Sequence, residues 1–415
     1  MTTTKGGKDR IIVQSPYWRC RYRDGAGVLC EVPTGCRDED AAQSIMNDLV
    51  RRAELVKANV MSVAEDAVSD HAETALSEHF DGYVAHLQSK GNDPHRITQV
   101  RARLDRVAKE CGFSLLTELT GSELERWLVA RRDEGMGAAT RNGYREVAVG
   151  FCNWCRRTRR LITNPFLDVP LADVKADRRH VRRSFTEDEL VLLLEVARKR
   201  PLAECGRGFV KKGDGSAKGK RRDTWHKAPL TLETLDAAEV MARKVLVNRP
   251  NYLADLERVG RERALIYKTL VLTGLRKGEL ASLTVGQLEL VGKVAYAVLK
   301  AADEKNQEGS DIPLRPDLAA DLRTWLADKL VMVQQDAKWQ LKPILAKLPP
   351  DTPIFYVPSG LIRVLDRDLL TAGIARMAKD KHGREYIDKR DDRGRVLDIH
   401  AFRVTFGTHL SVVSQ

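Results

Sequence analysis

The stretch Thr273–Leu280, T-G-L-R-K-G-E-L, constrains this chain more than any other. Upstream of it, Arg263 to Leu272 carries Ala264, Leu265, Ile266, Tyr267, Leu270 and Val271, the pattern of a mostly apolar helix. Gly274 fits the left-handed position at which such helices stop. Arg276 then opens a second helix, where backbone amides favour an anion and a guanidinium offers a planar fork to two oxygens of a phosphate. Glu279 stands three residues on, on the same face, placed to orient a basic neighbour. The alternative reading of this pair is a surface salt bridge.

A chain of 415 residues with 43% apolar residues is long enough for two or three separate cores. The pattern predicts a mainly α fold with small β-sheets (α+β). Short strands are expected at Ile11–Val13, Tyr17–Tyr22 and Val28–Val32, with Asp24-Gly25-Ala26-Gly27 as a turn, then a helix over Asp38–Lys57 capped by Asp38. This gives a three-stranded β module braced by one helix over residues 1–60. In it Arg19, Arg21 and Arg23 alternate with Trp18, Cys20 and Tyr22, so one sheet face is basic, either for a DNA groove or merely for solvent. Residues 61–170 read as helices at Thr74–Ser89, Asp93–Cys111, Thr120–Glu134 and Ala138–Thr158, with Gly91, Gly112 and Gly135 in the turns. Leu124, Trp127, Leu128 and Ala130 are the expected buried stripe of the third.

Net charge is +12, which favours a polyanionic partner without proving one. Between Arg156 and Arg183 nine Lys/Arg stand against three Asp, an excess of six gathered around a linker at 171–183. Candidate phosphate contacts are Arg141 and Arg145 at the start of the fourth helix, Arg156, Arg157, Arg159 and Arg160 at its end, and Arg178, Arg179, Arg182 and Arg183 in the linker. Seven cysteines without a regular framework indicate free thiols in a reducing compartment. Cys152-x-x-Cys155 has no second ligand pair beside it, so no metal is expected there. No run of apolar residues suggests a signal peptide or a membrane span. The string G-D-G-S-A-K-G-K in an expected insertion at 205–227 fails as a nucleotide loop, because Asp214 stands where glycine is needed and Arg221 where Ser or Thr should be.

Residues 184–415 form the expected last domain. Thr186 and Glu189 read as a capping box for a helix through Val196. After the Gly274 corner come a strand over Lys293–Leu299, a polar turn holding Lys305, and Asp311-Ile312-Pro313-Leu314. Helices are expected over Pro316–Gln335 and Asp366–Lys379, and a charged loop or hairpin over Lys379–Arg395. Then D-I-H-A-F-R at Asp398–Arg403 sets His400 and Arg403 three apart near a helix start, with Phe402, Phe406 and Leu410 as its buried stripe.

T-G-L-R-K-G-E-L, followed by Leu283–Leu288 and later by H-x-x-R, resembles the boxes of the tyrosine recombinase (phage integrase) family. The helical block closed by Asn164-Pro165 is similar to that family's core-binding domain, and the first sixty residues loosely resemble its arm-type DNA-binding modules. The resemblance implies that Arg276 and Arg403 hold a scissile phosphate, His400 assists proton transfer, and Lys305 protonates the leaving 5′ oxygen, with Glu279 in support. It implies a 3′-phosphotyrosyl intermediate, no metal and no cofactor. The implied partner is double-stranded DNA, bound as a tetramer on paired recombination sites, with a monomer one allowed state of the free protein, in the cytoplasm with the nucleoid. None of the nine tyrosines follows Arg403, and neither Tyr267 nor Tyr386 takes the family's nucleophile position. The chain is therefore expected to be truncated before the nucleophile, binding DNA without cutting it. A DNA-binding regulator on the same fold is the alternative; a type IB topoisomerase and an RNA binder are the more remote ones.

Overall fold

The computed structural model describes residues 2–3, 9–10, 15–211, 225–303 and 308–413. The protein is mainly helical with small antiparallel sheets, an α+β fold. It divides into two compact units, Met1–Arg179 and His180–Gln415.

In the first unit, Thr2–Thr3 (β1) pairs with Asp9–Arg10 (β2), and Arg19–Arg23 (β3) with Leu29–Pro33 (β4). Asp24 closes the β3–β4 turn by accepting from Ala26 N and Val28 N, while Gly27 takes φ 82°. Among the described residues the β3 sheet has two strands; Ile11–Val13, expected as a further strand, lies outside them. Period-two alternation sorts β3 as expected. Cys20 is buried, its thiol donating to the carbonyl of Ala42 on Glu39–Lys57 (α1), while Arg19, Arg21 and Arg23 face solvent. Asp38 caps α1 through Ala41 N.

The helical block follows as Val63–Ser69 (α2), Leu76–Ser89 (α3), Pro94–Cys111 (α4), Gly121–Asp133 (α5) and Ala138–Arg157 (α6). Asp93 caps α4, and Gly112 ends it at φ 75°. Phe80 and Trp154 gather around Phe151 in the core, with Leu124, Trp127 and Leu128 of α5 buried beside them. Ala130 is exposed instead of completing that stripe, because two positions beyond Leu128 a helix has turned away. Cys152 and Cys155 are fully buried in the same core, and burial pushes the Cys155 thiol up to about 12, which makes it an inert core group.

The second unit opens with Glu187–Ala203 (α7), started by the Thr186/Glu189 capping box and running past the expected Val196. Phe209–Lys211 (β5) and Trp225–Lys227 (β6) pair within the expected insertion; the glycine- and lysine-rich string between them, Asp214 and Arg221 included, lies outside the described residues. Leu232–Val245 (α8), Pro250–Thr273 (α9) and Lys277–Ser282 (α10) lead to the sheet of Leu288–Glu289 (β7), Ala295–Leu299 (β8) and Ser310–Leu314 (β9), in the order β7-β8-β9. Gln287 ties this sheet to the corner, accepting from Thr284 N and donating to Val298 O. Then come Pro316–Trp339 (α11), Leu361–Thr371 (α12), the hairpin Arg376–Lys379 (β10) and Glu385–Asp388 (β11), and Ile399–Val413 (α13). The helix expected over Asp366–Lys379 thus stops at Thr371. Gly373, at φ 72°, turns the chain out of it, and the next residues pair as a strand. One large core joins α7, α9, α11, α12 and α13, with Tyr267, Leu270, Leu365 and Phe402 fully buried in it.

Candidate functional site

At the end of α9, Gly274 adopts φ 67° and donates its N–H to Leu270 O, the left-handed stop expected from sequence. A second demand falls on the same glycine: a Cβ placed there would lie 2.4 Å from Cδ1 of Phe406 on α13. Two residues on, Arg276 caps α10. Glu279 is only 5% exposed, and one carboxylate oxygen accepts from Arg276 N at 2.7 Å while the other holds the Arg276 guanidinium. The amide expected to await an anion is therefore already satisfied by Glu279. What remains for a ligand is an oriented guanidinium fork.

Helix α13 is fixed against this corner at several points. Phe402 stacks between Phe185 and Tyr267, with centroid separations of 4.9 and 5.3 Å, contacts worth about 0.5–1.5 kcal/mol each beyond area burial. The buried Thr405 hydroxyl accepts from Phe185 N. Arg403 donates from Nη1 to Gly274 O at 2.8 Å, which joins the second arginine box to the first. Asp398 starts the helix by accepting from Ala401 N, and its carboxylate also takes Arg182 Nε at 2.9 and 2.8 Å. Leu410, expected in the buried stripe, is 51% exposed; Ala401 and Thr405 lie in that face instead.

Arg276, Glu279 and His400 line one open cleft of about 620 Å³, together with Lys277, Ser359 and Asp398. Ala302 and Asp303, after β8, form part of its wall; Lys305 itself lies outside the described residues. Arg403 is not among the residues that line the cleft; it bonds to the carbonyl of Gly274, two residues before Arg276. The arrangement supplies oriented cations and an exposed imidazole in a space suited to a phosphodiester. Among the described residues no tyrosine lines the cleft. Tyr267 is fully buried, donating to Asp368 at 2.8 Å, and the Tyr386 hydroxyl accepts from Arg390.

The ten arginines expected along α6 and the linker divide sharply. Arg141 bonds locally to Met136 O, while Arg145 bonds to Val169 O and Leu167 O and Arg179 to Asp177 and Gly135 O, which ties the 167–179 stretch to α6 and the turn before it. Arg160 lies over Trp154 and meets His79, while in the second unit Arg182 holds Asp398 and Arg183 holds Glu189. Arg156, Arg157, Arg159 and Arg178 are exposed and make no ion pair among the described residues. Sequence reasoning passed over Lys277, whose ammonium donates to Ser359 O at the cleft, and Asp398, which stands at the start of a helix and carried a capping signal.

No family model and no curated protein sequence matches this chain. Among solved structures it is similar to a lambda integrase dimer bound to a COC′ core site, at 14% identity over 96% of this chain and 88% of that one, TM-score 0.46. It is also similar to the Tn1549 transposon integrase in complex with transposon right end DNA, at 15% identity over 81% and 87%, TM-score 0.46. A third similar structure is the XerH site-specific recombinase bound to difH substrate, at 13% identity over 91% and 80%, TM-score 0.44.

Proposed function

We propose that this protein binds duplex DNA and belongs functionally with DNA strand-transfer recombinases of the tyrosine type. The observation that carries the reading is the junction of two sequence boxes more than a hundred residues apart. Arg276, Glu279 and His400 share one cleft, and Arg403 bonds to the carbonyl two residues before Arg276. In this reading the guanidinium of Arg276, held by Glu279, and that of Arg403 receive the non-bridging oxygens of one phosphodiester and stabilise the charge that builds on them. His400 positions or moves a proton at that phosphate, and Lys305 delivers the proton to the leaving 5′ oxygen. The nucleophile of such a reaction is a tyrosine attacking phosphorus to form a 3′-phosphotyrosyl link. Since no tyrosine lines the cleft among the described residues, this chain binds DNA and leaves the strands uncut. That observation equally favours a second reading, a DNA-binding regulator built on the same fold.

Residues 1–60, 61–170 and 184–415 serve in this proposal as arm module, core-binding part and catalytic part, with 171–183 as the basic linker. Four copies assemble on paired recombination sites. The test is titration of a mixed-sequence duplex, followed by a denaturing gel with a nicked duplex. Saturable, salt-sensitive binding without a covalent adduct is expected. Failure to bind contradicts the reading, and an adduct contradicts the uncut outcome. In a lengthened chain, loss of strand exchange on Arg276→Ala or Arg403→Ala with binding retained favours the enzyme, and binding without any strand exchange favours the regulator.

A further inference from the structure

Between α12 and α13 the chain builds one turn twice. In Asp380–Arg384, Asp380 Oδ1 accepts from His382 N at 2.8 Å and Arg384 N at 2.9 Å, with Gly383 at φ 75°. In Asp391–Arg395, Asp391 Oδ1 accepts from Arg393 N at 3.1 Å and Arg395 N at 2.8 Å, with Gly394 at φ 72°. The same bonds close Asp24–Val28, where the tip is Gly25 and Ala26. The geometry thus requires an aspartate first and a glycine fourth, and places no demand for charge on the tip. Yet the two later turns carry Lys381 and Arg393 at the tip and Arg384 at the fifth position, where the first turn has Val28, all three exposed and without an ion pair among the described residues.

The acids nearby do not neutralise them. Asp380 and Asp391 are committed to backbone amides, Asp391 also to Arg395, and Asp388 to Arg390. Glu385 lies opposite Lys379 in the β10–β11 ladder, and Asp392 is the remaining exposed acid. The segment is also rooted at the cleft. Lys389 bonds to Asp366 at 2.7 Å, one helical turn along α12 from Ile362 in the cleft wall. Val396 bridges to Arg182, whose guanidinium holds Asp398 in that wall.

We propose that these two turn tips form a phosphate-contacting site for duplex DNA flanking the cleft, with Lys381, Arg384 and Arg393 as its cations. The proposal rests on the functional reading above. Strands of four residues carry the first tip about 14 Å from its root. Such contacts grip the backbone and set register without reading bases.

The test is fluorescence anisotropy of the full chain with a mixed-sequence duplex between about 50 and 200 mM salt, giving the slope of log Kobs against log salt. The variant combines Lys381→Ala, Arg384→Ala and Arg393→Ala, leaving each turn's aspartate and glycine in place. A control removes equal charge from exposed residues of the same unit, with Lys338→Ala, Lys342→Ala and Lys347→Ala. The proposal requires the tip variant's slope to be shallower by about 2.7, at about 0.9 per lost contact, with the control near wild type. A tip variant with the wild-type slope, or a control that loses as much, overturns it; the functional reading then stands if Arg276→Ala still weakens binding. If the unaltered chain does not bind duplex at all, both fall.

Discussion

Replacing Gly274 with alanine strains two features at once, and the structure separates their contributions. A non-glycine residue in the left-handed region costs about 1–2 kcal/mol, and Gly274 sits at φ 67°. The added methyl also lies 2.4 Å from the Phe406 ring, so α13 must shift or the ring must leave its rotamer, an overpacking cost of about 1–3 kcal/mol. Gly383, at φ 75° with nothing within 4 Å of a Cβ, supplies the backbone cost alone. Urea unfolding followed by fluorescence should therefore place Gly274→Ala roughly 1–3 kcal/mol below Gly383→Ala. In a Phe406→Ala background the difference should vanish, because the ring is gone. Duplex affinity should fall with Gly274→Ala as well, although glycine offers no side chain to DNA, since the carbonyl that receives Arg403 moves. Equal destabilisation by the two glycine variants would refute the packing of α13 on the corner, and the convergent site with it.

Three further outcomes are expected. Asp368→Ala leaves Arg200, which is 3% exposed, without its buried partner, and should lower stability by about 3–5 kcal/mol in urea unfolding. His79 is fully buried, and burial, followed by the Arg160 charge, lowers its pKa to about 4 from 6.5. Its neutral form is the native one, so this contribution is complete above 6.5 and is lost as pH falls through about 4, removing on the order of 3 kcal/mol in all; His79→Gln should flatten that dependence in thermal melts. Glu279→Ala removes a negative charge from the cleft, yet should weaken duplex binding and cost about 1–3 kcal/mol of stability, because Arg276 loses its brace; tighter binding would mean that Glu279 acts only as a repelling charge.

The corner at Gly274 was legible in the sequence because a left-handed stop, an arginine and an acid three positions later leave little conformational choice. Helix termini with caps, at Asp38, Asp93 and Thr186, were legible for the same local reason. Partnership was harder to read. Six of the ten arginines expected to face DNA bond to carbonyls, carboxylates or a histidine, and nothing local distinguishes a solvated arginine from one holding a distant carbonyl. Leu410 was misplaced because α13 buries Ala401, Phe402 and Thr405, and a face set by two aromatic neighbours is not centred on the apolar periodicity. The β10 strand was read as helix because its ladder partner lies beyond a turn, a non-local fact.

The account rests on Arg276 and Arg403 serving one phosphate, and a double-mutant cycle on duplex affinity tests this most directly. If they share a ligand, Arg276→Ala and Arg403→Ala together should weaken binding by less than the sum of the single losses, with a coupling of about 0.5–3 kcal/mol. Losses that add to within about 0.5 kcal/mol would place the two side chains on separate phosphates and contradict the shared site.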